Sequence, residues 1–160
     1  MEDTILNVLY LCADNETVLN KHGNIMKYIS QIFTKNSNIN QYSLGLQIHE
    51  SLLKSNICKL DLLYENIDKC HFNLMFDIIL SEYCPFFNNR IFINKIIELC
   101  DNKLTSEGLL IIPFAGDIRN YPDKIKDLDY ISKFFNSNTV YTFKNDTSKL
   151  VSEMIIIFKK

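Results

Sequence analysis

Apolar and polar positions fall in blocks along the chain. Residues 5–12 (ILNVLYLC) form an apolar run rich in Leu, ended by the polar Asp14, Asn15, Glu16 and Thr17. A run of that length before a polar stretch reads as a strand buried on both faces, followed by a loop. Over residues 17–35 the apolar Val18, Leu19, Ile25, Met26, Ile29, Ile32 and Phe33 recur mostly at three- and four-residue intervals. That spacing puts them on one helical face, with Gly23 splitting or delaying the helix. After the Asn-rich link at 36–40, residues 42–48 (YSLGLQI) read as a second strand. Residues 49–55 follow as a short helix or turn, and a third strand is expected at about 59–64.

The second half repeats the alternation. Residues 76–80 (FDIIL) read as a strand, and Ile91, Ile93, Ile96, Ile97, Cys100 and Leu104 carry helical spacing over 90–104. Gly108 is expected to end that helix before a buried strand at 109–114. A helix at 122–135 has Pro122 at its start, where the missing amide costs nothing. Strands at 139–143 and 152–158 close the chain, joined by 144–149, a connection short enough for a hairpin. Strands alternating with helices imply parallel pairing with right-handed crossovers, and two adjacent strands imply one antiparallel member. The expected fold is α/β: a doubly wound, mostly parallel seven-stranded sheet with a terminal antiparallel hairpin and helices on both faces, in a single domain over 1–160.

Composition narrows the classes. A chain of 160 residues fits one domain, able to bury roughly 70% of its unfolded surface. With 47% hydrophobic and 22% charged residues the chain is expected to fold despite its many Asn and Lys. Asn, Ile and Lys make up about a third of the residues while Ala is nearly absent, a bias that points to an AT-rich genome, such as that of a parasite or a large DNA virus. The apolar runs fall far short of the ~20 residues a membrane-spanning helix needs, and Glu2 and Asp3 stand where a signal peptide would be positive. The five cysteines, Cys12, Cys58, Cys70, Cys84 and Cys100, are odd in number and lack any Cys-x-x-Cys pair. They suggest neither a disulfide framework nor a zinc site, and a reducing, cytoplasmic setting is expected. A net charge of −2 gives no general attraction to nucleic acid.

The order of elements resembles that of the class I S-adenosylmethionine-dependent methyltransferases over nearly the whole chain. Phe76-Asp77-Ile78-Ile79-Leu80-Ser81, a helix, and Leu104-Thr105-Ser106-Glu107-Gly108-Leu109-Leu110-Ile111 look like the family's fourth strand, its helix and the Leu-x-x-x-Gly-Gly turn into the fifth. Glu107 stands where the family often has its first Gly. Gly45-Leu46-Gln47-Ile48-His49-Glu50-Ser51 is similar to the family's Gly-x-Asp-x-Ser, with Gln47 in place of the acid that would hold the ribose hydroxyls. The departure is largest at the first strand. Val8-Leu9-Tyr10-Leu11-Cys12-Ala13-Asp14-Asn15-Glu16 aligns with Val-Leu-Asp-Leu-Gly-x-Gly-x-Gly and contains none of the glycines. Only glycine lets the backbone of that loop approach the cofactor without a Cβ in the way. On this alignment Tyr10, Asp14 and Glu16 add bulk and negative charge where the methionine part of the cofactor should lie. Ser81-Glu82-Tyr83-Cys84-Pro85-Phe86 occupies the place of the Asn-Pro-Pro-Tyr of some members, and Pro85 with its aromatic neighbours matches in part.

The resemblance implies cofactor contacts at Asp14, Gln47, Glu65 and Ser81, and catalytic or substrate-orienting roles for Glu82 and Tyr83. Each also has a plainer reading. Glu82 and Tyr83 can be a solvated loop carboxylate beside a packing ring, and Glu65 an exposed loop residue. Cys84 has no His at a linking spacing among His22, His49 and His71. Asp14, Glu16, Glu50 and Glu82 have no metal-ligand spacing, so no metal is expected. Arg90 follows Phe86-Phe87-Asn88-Asn89, aromatics beside a cation as in partner contacts, or the packed start of a helix. The leading expectation is a methyltransferase-like domain that holds no cofactor and serves as an interaction or regulatory module for a protein partner. The alternative is a working enzyme that binds S-adenosylmethionine through an atypical first loop. An unrelated doubly wound fold, flavodoxin-like or receiver-like, is disfavoured by the terminal hairpin.

Overall fold

The computed structural model describes residues 5–11, 38–45, 57–59, 73–81, 90–114, 121–142 and 154–160. Its strands are β1 (Ile5–Leu11), β2 (Asn38–Gly45), β3 (Ile57–Lys59), β4 (Phe76–Ser81), β5 (Leu104–Phe114), β6 (Ser137–Thr142) and β7 (Met154–Lys159). Its described helices are α1 (Arg90–Lys103), between β4 and β5, and α2 (Pro122–Ser132), between β5 and β6. The strands join one sheet in the order β3-β2-β1-β4-β5-β7-β6. Pairing is parallel from β3 through β5, and β7 runs antiparallel to both β5 and β6. The α/β class and the mostly parallel sheet with an antiparallel end agree with the sequence pattern. The helices expected at 17–35 and 49–55 lie outside the described residues.

Alternation along the strands divides the sheet into two layers. Leu9 and Leu11 of β1, Leu44 of β2, Ile79 of β4, Leu110 and Ile112 of β5, and Ile156 and Phe158 of β7 join one core cluster. The same cluster holds Phe92, Ile93, Ile96 and Leu99 of α1 and Leu128 and Ile131 of α2, so both helices pack on this face. On the far face Val8, Tyr10, Ile78, Leu80, Ile111, Ile155 and Ile157 are also buried. The centre of the sheet is thus withdrawn from water on both sides, which is why its strands are continuous apolar runs rather than alternating ones.

Several boundaries differ from the sequence reading. β2 lies at Asn38–Gly45, earlier than 42–48, because the Asn-rich stretch is part of the strand. Asn40 pairs with Asn7 across the ladder and its Nδ2 donates to the Asn7 side-chain oxygen at 3.3 Å. Beside them Asn7 N–H donates to the Asp77 carboxylate at 2.9 Å. Polar side chains thus satisfy one another at the start of three neighbouring strands. α1 ends at Lys103 and β5 begins directly at Leu104, so Gly108 is a strand residue rather than a helix terminator. Between Phe76 and Ile78 the β4–β5 register shifts, Phe76 facing Leu104 and Ile78 facing Leu109. The extra length in β5 accommodates residues 105–107.

The end of α1 is held by a residue far away in sequence. Lys160 Nζ donates to the carbonyls of Cys100, Asp101 and Leu104 at 3.1, 2.8 and 2.8 Å. A cation there also opposes the negative end of the helix dipole. The cysteines need one correction. Cys58, in the middle of β3, is disulfide-bonded, with its partner outside the described residues. Sequence spacing does not reveal such a pair, because the bond needs only that folding bring the two Cα atoms within roughly 4.4–6.8 Å. Cys100 is a free, buried thiol.

Candidate functional site

In a doubly wound sheet the ligand crevice opens where consecutive crossovers leave in opposite directions, beyond the carboxyl ends of the strands. Here β1 leads to β2 on one side, and β4, on its other side, leads away to β5. The switch point therefore lies between the ends of β1 and β4, where Leu11 stands opposite Ser81. Leu11 also faces Leu44 near the end of β2, and β3 ends one strand further out.

Ser81 is the sequence-predicted site residue that falls within the described chain. It is fully buried, and its Oγ has no hydrogen-bond partner among the described residues. A buried hydroxyl left without a partner costs about 1–3 kcal/mol. An unsatisfied polar atom at the end of a central strand, beside the switch point, is where a ligand's polar group would be received. Glu82, Tyr83, Asp14, Gln47 and Glu65 lie outside the described residues, as do Glu16, Glu50, Cys84 and the three histidines. Among the described residues no group of three His, Cys, Asp or Glu side chains is placed to hold a metal ion.

Tyr10 stands where the resemblance has an acid. Its side chain is 1% exposed and lies on the face opposite Leu9 and Leu11, next in register to Leu80. Burial pushes its hydroxyl well above the usual tyrosine range. The ring fills the apolar layer of the far face and carries no negative charge into the crevice. Among the described residues at the switch point, Ser81 contributes one receptive hydroxyl.

Sequence reasoning missed two features at the helices. Arg90, the first residue of α1, lies 3.8 Å over the ring of Tyr130 and 3.5 Å from the Asp127 carboxylate, while Phe86 and Phe87 lie outside the described residues. The Tyr130 hydroxyl donates to Asn94 at 2.7 Å, so one cluster ties α1 to α2. The helical spacing of Arg90 and Asn94 was the available signal, but their partners lie about 36 residues away. The second feature is a groove of about 550 Å³ between α1, the turn after α2 and Lys160. It is lined by residues from the end of α1, which runs back toward the start of β5, and so lies away from the switch point.

No family model matches the sequence, and no curated protein matches it. Solved structures do match in fold. The plantazolicin methyltransferase BpumL in complex with SAH is 11% identical, with 97% of this chain and 76% of that one covered and a TM-score of 0.55. A methyltransferase from Pyrococcus furiosus is 16% identical, covering 100% of this chain and 77% of that one at a TM-score of 0.55. A SAM-dependent methyltransferase from Archaeoglobus fulgidus is 12% identical, covering 98% and 86% at a TM-score of 0.54. With its strand order and its antiparallel β7 beside β5, the chain has the fold of the class I SAM-dependent methyltransferases.

Proposed function

We propose that this chain is a single methyltransferase-like domain over 1–160 that does not catalyse methyl transfer and serves as an interaction or regulatory module for a protein partner. The observation that carries this reading is the contrast at β1. The strand lies inside the sheet, between β2 and β4, yet residues 8–16 contain no glycine, and the acid of the family pattern is replaced by the buried Tyr10. A side chain at each loop position keeps the backbone from closing on a cofactor, while the rest of the fold survives because its core does not depend on those glycines.

One observation favours a second reading, a working enzyme that holds S-adenosylmethionine. The Ser81 hydroxyl is buried and without a partner among the described residues, at the place where the fold receives ligands. SAH is bound in the plantazolicin methyltransferase that shares the fold, so the cofactor is the natural first candidate for that hydroxyl.

Isothermal calorimetry of the chain with S-adenosylmethionine and S-adenosylhomocysteine separates the two. No heat at millimolar ligand, from a chain shown to be folded by circular dichroism, is the expected result. Micromolar binding that Ser81→Ala weakens would overturn the non-catalytic reading and make Glu82 and Tyr83 the next residues to substitute.

A further inference from the structure

The groove beside the end of α1 has a chemistry of its own. Asn94, Glu98 and Asp101 are spaced by four and three residues, which places them in one stripe along the helix. Opposite them stand Tyr130 of α2 and Phe134 in the turn that follows, their rings edge to face at 5.3 Å. Phe134 is 53% exposed, so its ring is open to a ligand in the groove. Neither Glu98 nor Asp101 has an ion pair among the described residues. The cation in the lining, Lys160, is committed to three carbonyls at the end of α1. The cation nearest the Tyr130 ring, Arg90, is paired with Asp127. The groove therefore offers an apolar aromatic wall and, among its described lining, two carboxylates against the single ammonium of Lys160.

We propose that this groove docks a short segment of a partner protein in which an apolar side chain stands next to Lys or Arg. The apolar group covers Phe134 and Ile97. The aliphatic stem of the basic residue lies along the rings and its head meets Glu98 and Asp101. Charge complementarity selects this occupant over an acidic segment, whose carboxylates would meet those of α1. A groove of about 550 Å³ falls within the size range of sites that enclose a few side chains. The inference does not rest on the crevice being empty or catalytically silent, because the groove shares no residue with it.

The test is selection of a random-peptide display library on the full chain, followed by anisotropy titration of the enriched peptides. Enrichment of peptides with Lys or Arg beside Leu, Phe or Trp is expected. Phe134→Ser and the double substitution Glu98→Gln with Asp101→Asn should each weaken binding about tenfold, and the double variant should also flatten the salt dependence. Phe134 is half exposed, so its substitution leaves the core intact; circular dichroism checks this. Failure to enrich any peptide, enrichment of acidic ones, or binders indifferent to both variants would overturn the proposal. So would a dimer in sedimentation that Phe134→Ser dissolves, since the occupant would then be a second copy of the chain.

Discussion

Gly108 is a position where the fold demands a residue without a side chain, and the reason is space. A Cβ built there would collide with the Leu104 side chain, with Cδ1 at 2.7 Å, and would lie 3.0 Å from the Thr105 carbonyl. Leu104 is fully buried and faces Phe76, so it has no room to yield. Gly108→Ala is expected to cost ~1–3 kcal/mol, read from the urea midpoint. In a Leu104→Ala background the same change should cost less, and equal costs in both backgrounds would show that the clash is not the cause. Ser81 gives the opposite sign. Because its hydroxyl is buried without a partner, Ser81→Ala should leave stability unchanged or raise it by up to about 1 kcal/mol; a clear loss would mean that the hydroxyl is satisfied. Cys100 adds a pH dependence. Burial pushes its thiol from 9.0 up to about 12, against a smaller opposing pull from Lys160. The unfolded chain therefore releases this proton at lower pH than the folded one, and stability falls as pH rises from about 9 toward 12. Cys100→Ala should shallow that decline in a base titration followed by circular dichroism.

At the scale of elements, α1 depends on a contact that local sequence does not announce. Three carbonyls at its end are satisfied by Lys160 Nζ, and the Lys160 N–H donates to Gly108 O at 3.0 Å, fixing the residue to β5. Lys160→Met keeps much of the stem and removes the donors. It should cost ~1–2 kcal/mol and speed hydrogen exchange in the last turn of α1, while exchange in α2 stays as it was. Unchanged exchange in that turn would mean that water replaces the ammonium without loss. Gly108 is not the helix stop its position suggests: the helix gives way to β5 at Leu104, and the carbonyls there are bonded by a residue about 60 positions away. The central strands were legible because burial on both faces leaves apolar runs in β1, β4 and β5. β2 was read too late because Asn38, Asn40 and Gln41 carry the composition of a loop. What makes them strand residues is the parallel ladder with β1, where Asn38 faces Ile5, Asn40 faces Asn7 and Gln41 faces Val8, a tertiary fact that residue preference does not contain.

Across the whole molecule the two places of interest stand at opposite ends of the same sheet. The switch point lies at the carboxyl ends of β1 and β4, and the groove lies by the end of α1 and Lys160, where β5 begins. A six-residue strand such as β4 spans about 20 Å, and the elements between the two places are packed core. The crevice was partly legible in the sequence, since the resemblance places Ser81 at the end of the fourth strand, and the strand order sets that end at the switch point. The groove was not, because it is assembled from α1, the turn after α2 and Lys160, none of which carries a motif. Packed elements without a second arrangement give no route for one site to bias the other. Substitutions at the two ends should therefore be independent. Phe134→Ser should leave any ligand binding at Ser81 unchanged, Ser81→Ala should leave peptide affinity unchanged, and the stability effects of the pair should add within about 0.5 kcal/mol. Calorimetry, peptide titration and urea unfolding on the two single variants and the double variant measure all three. A coupling well beyond that margin would mean that α1 shifts between two positions on the sheet, and that occupancy of the groove reaches the crevice through it.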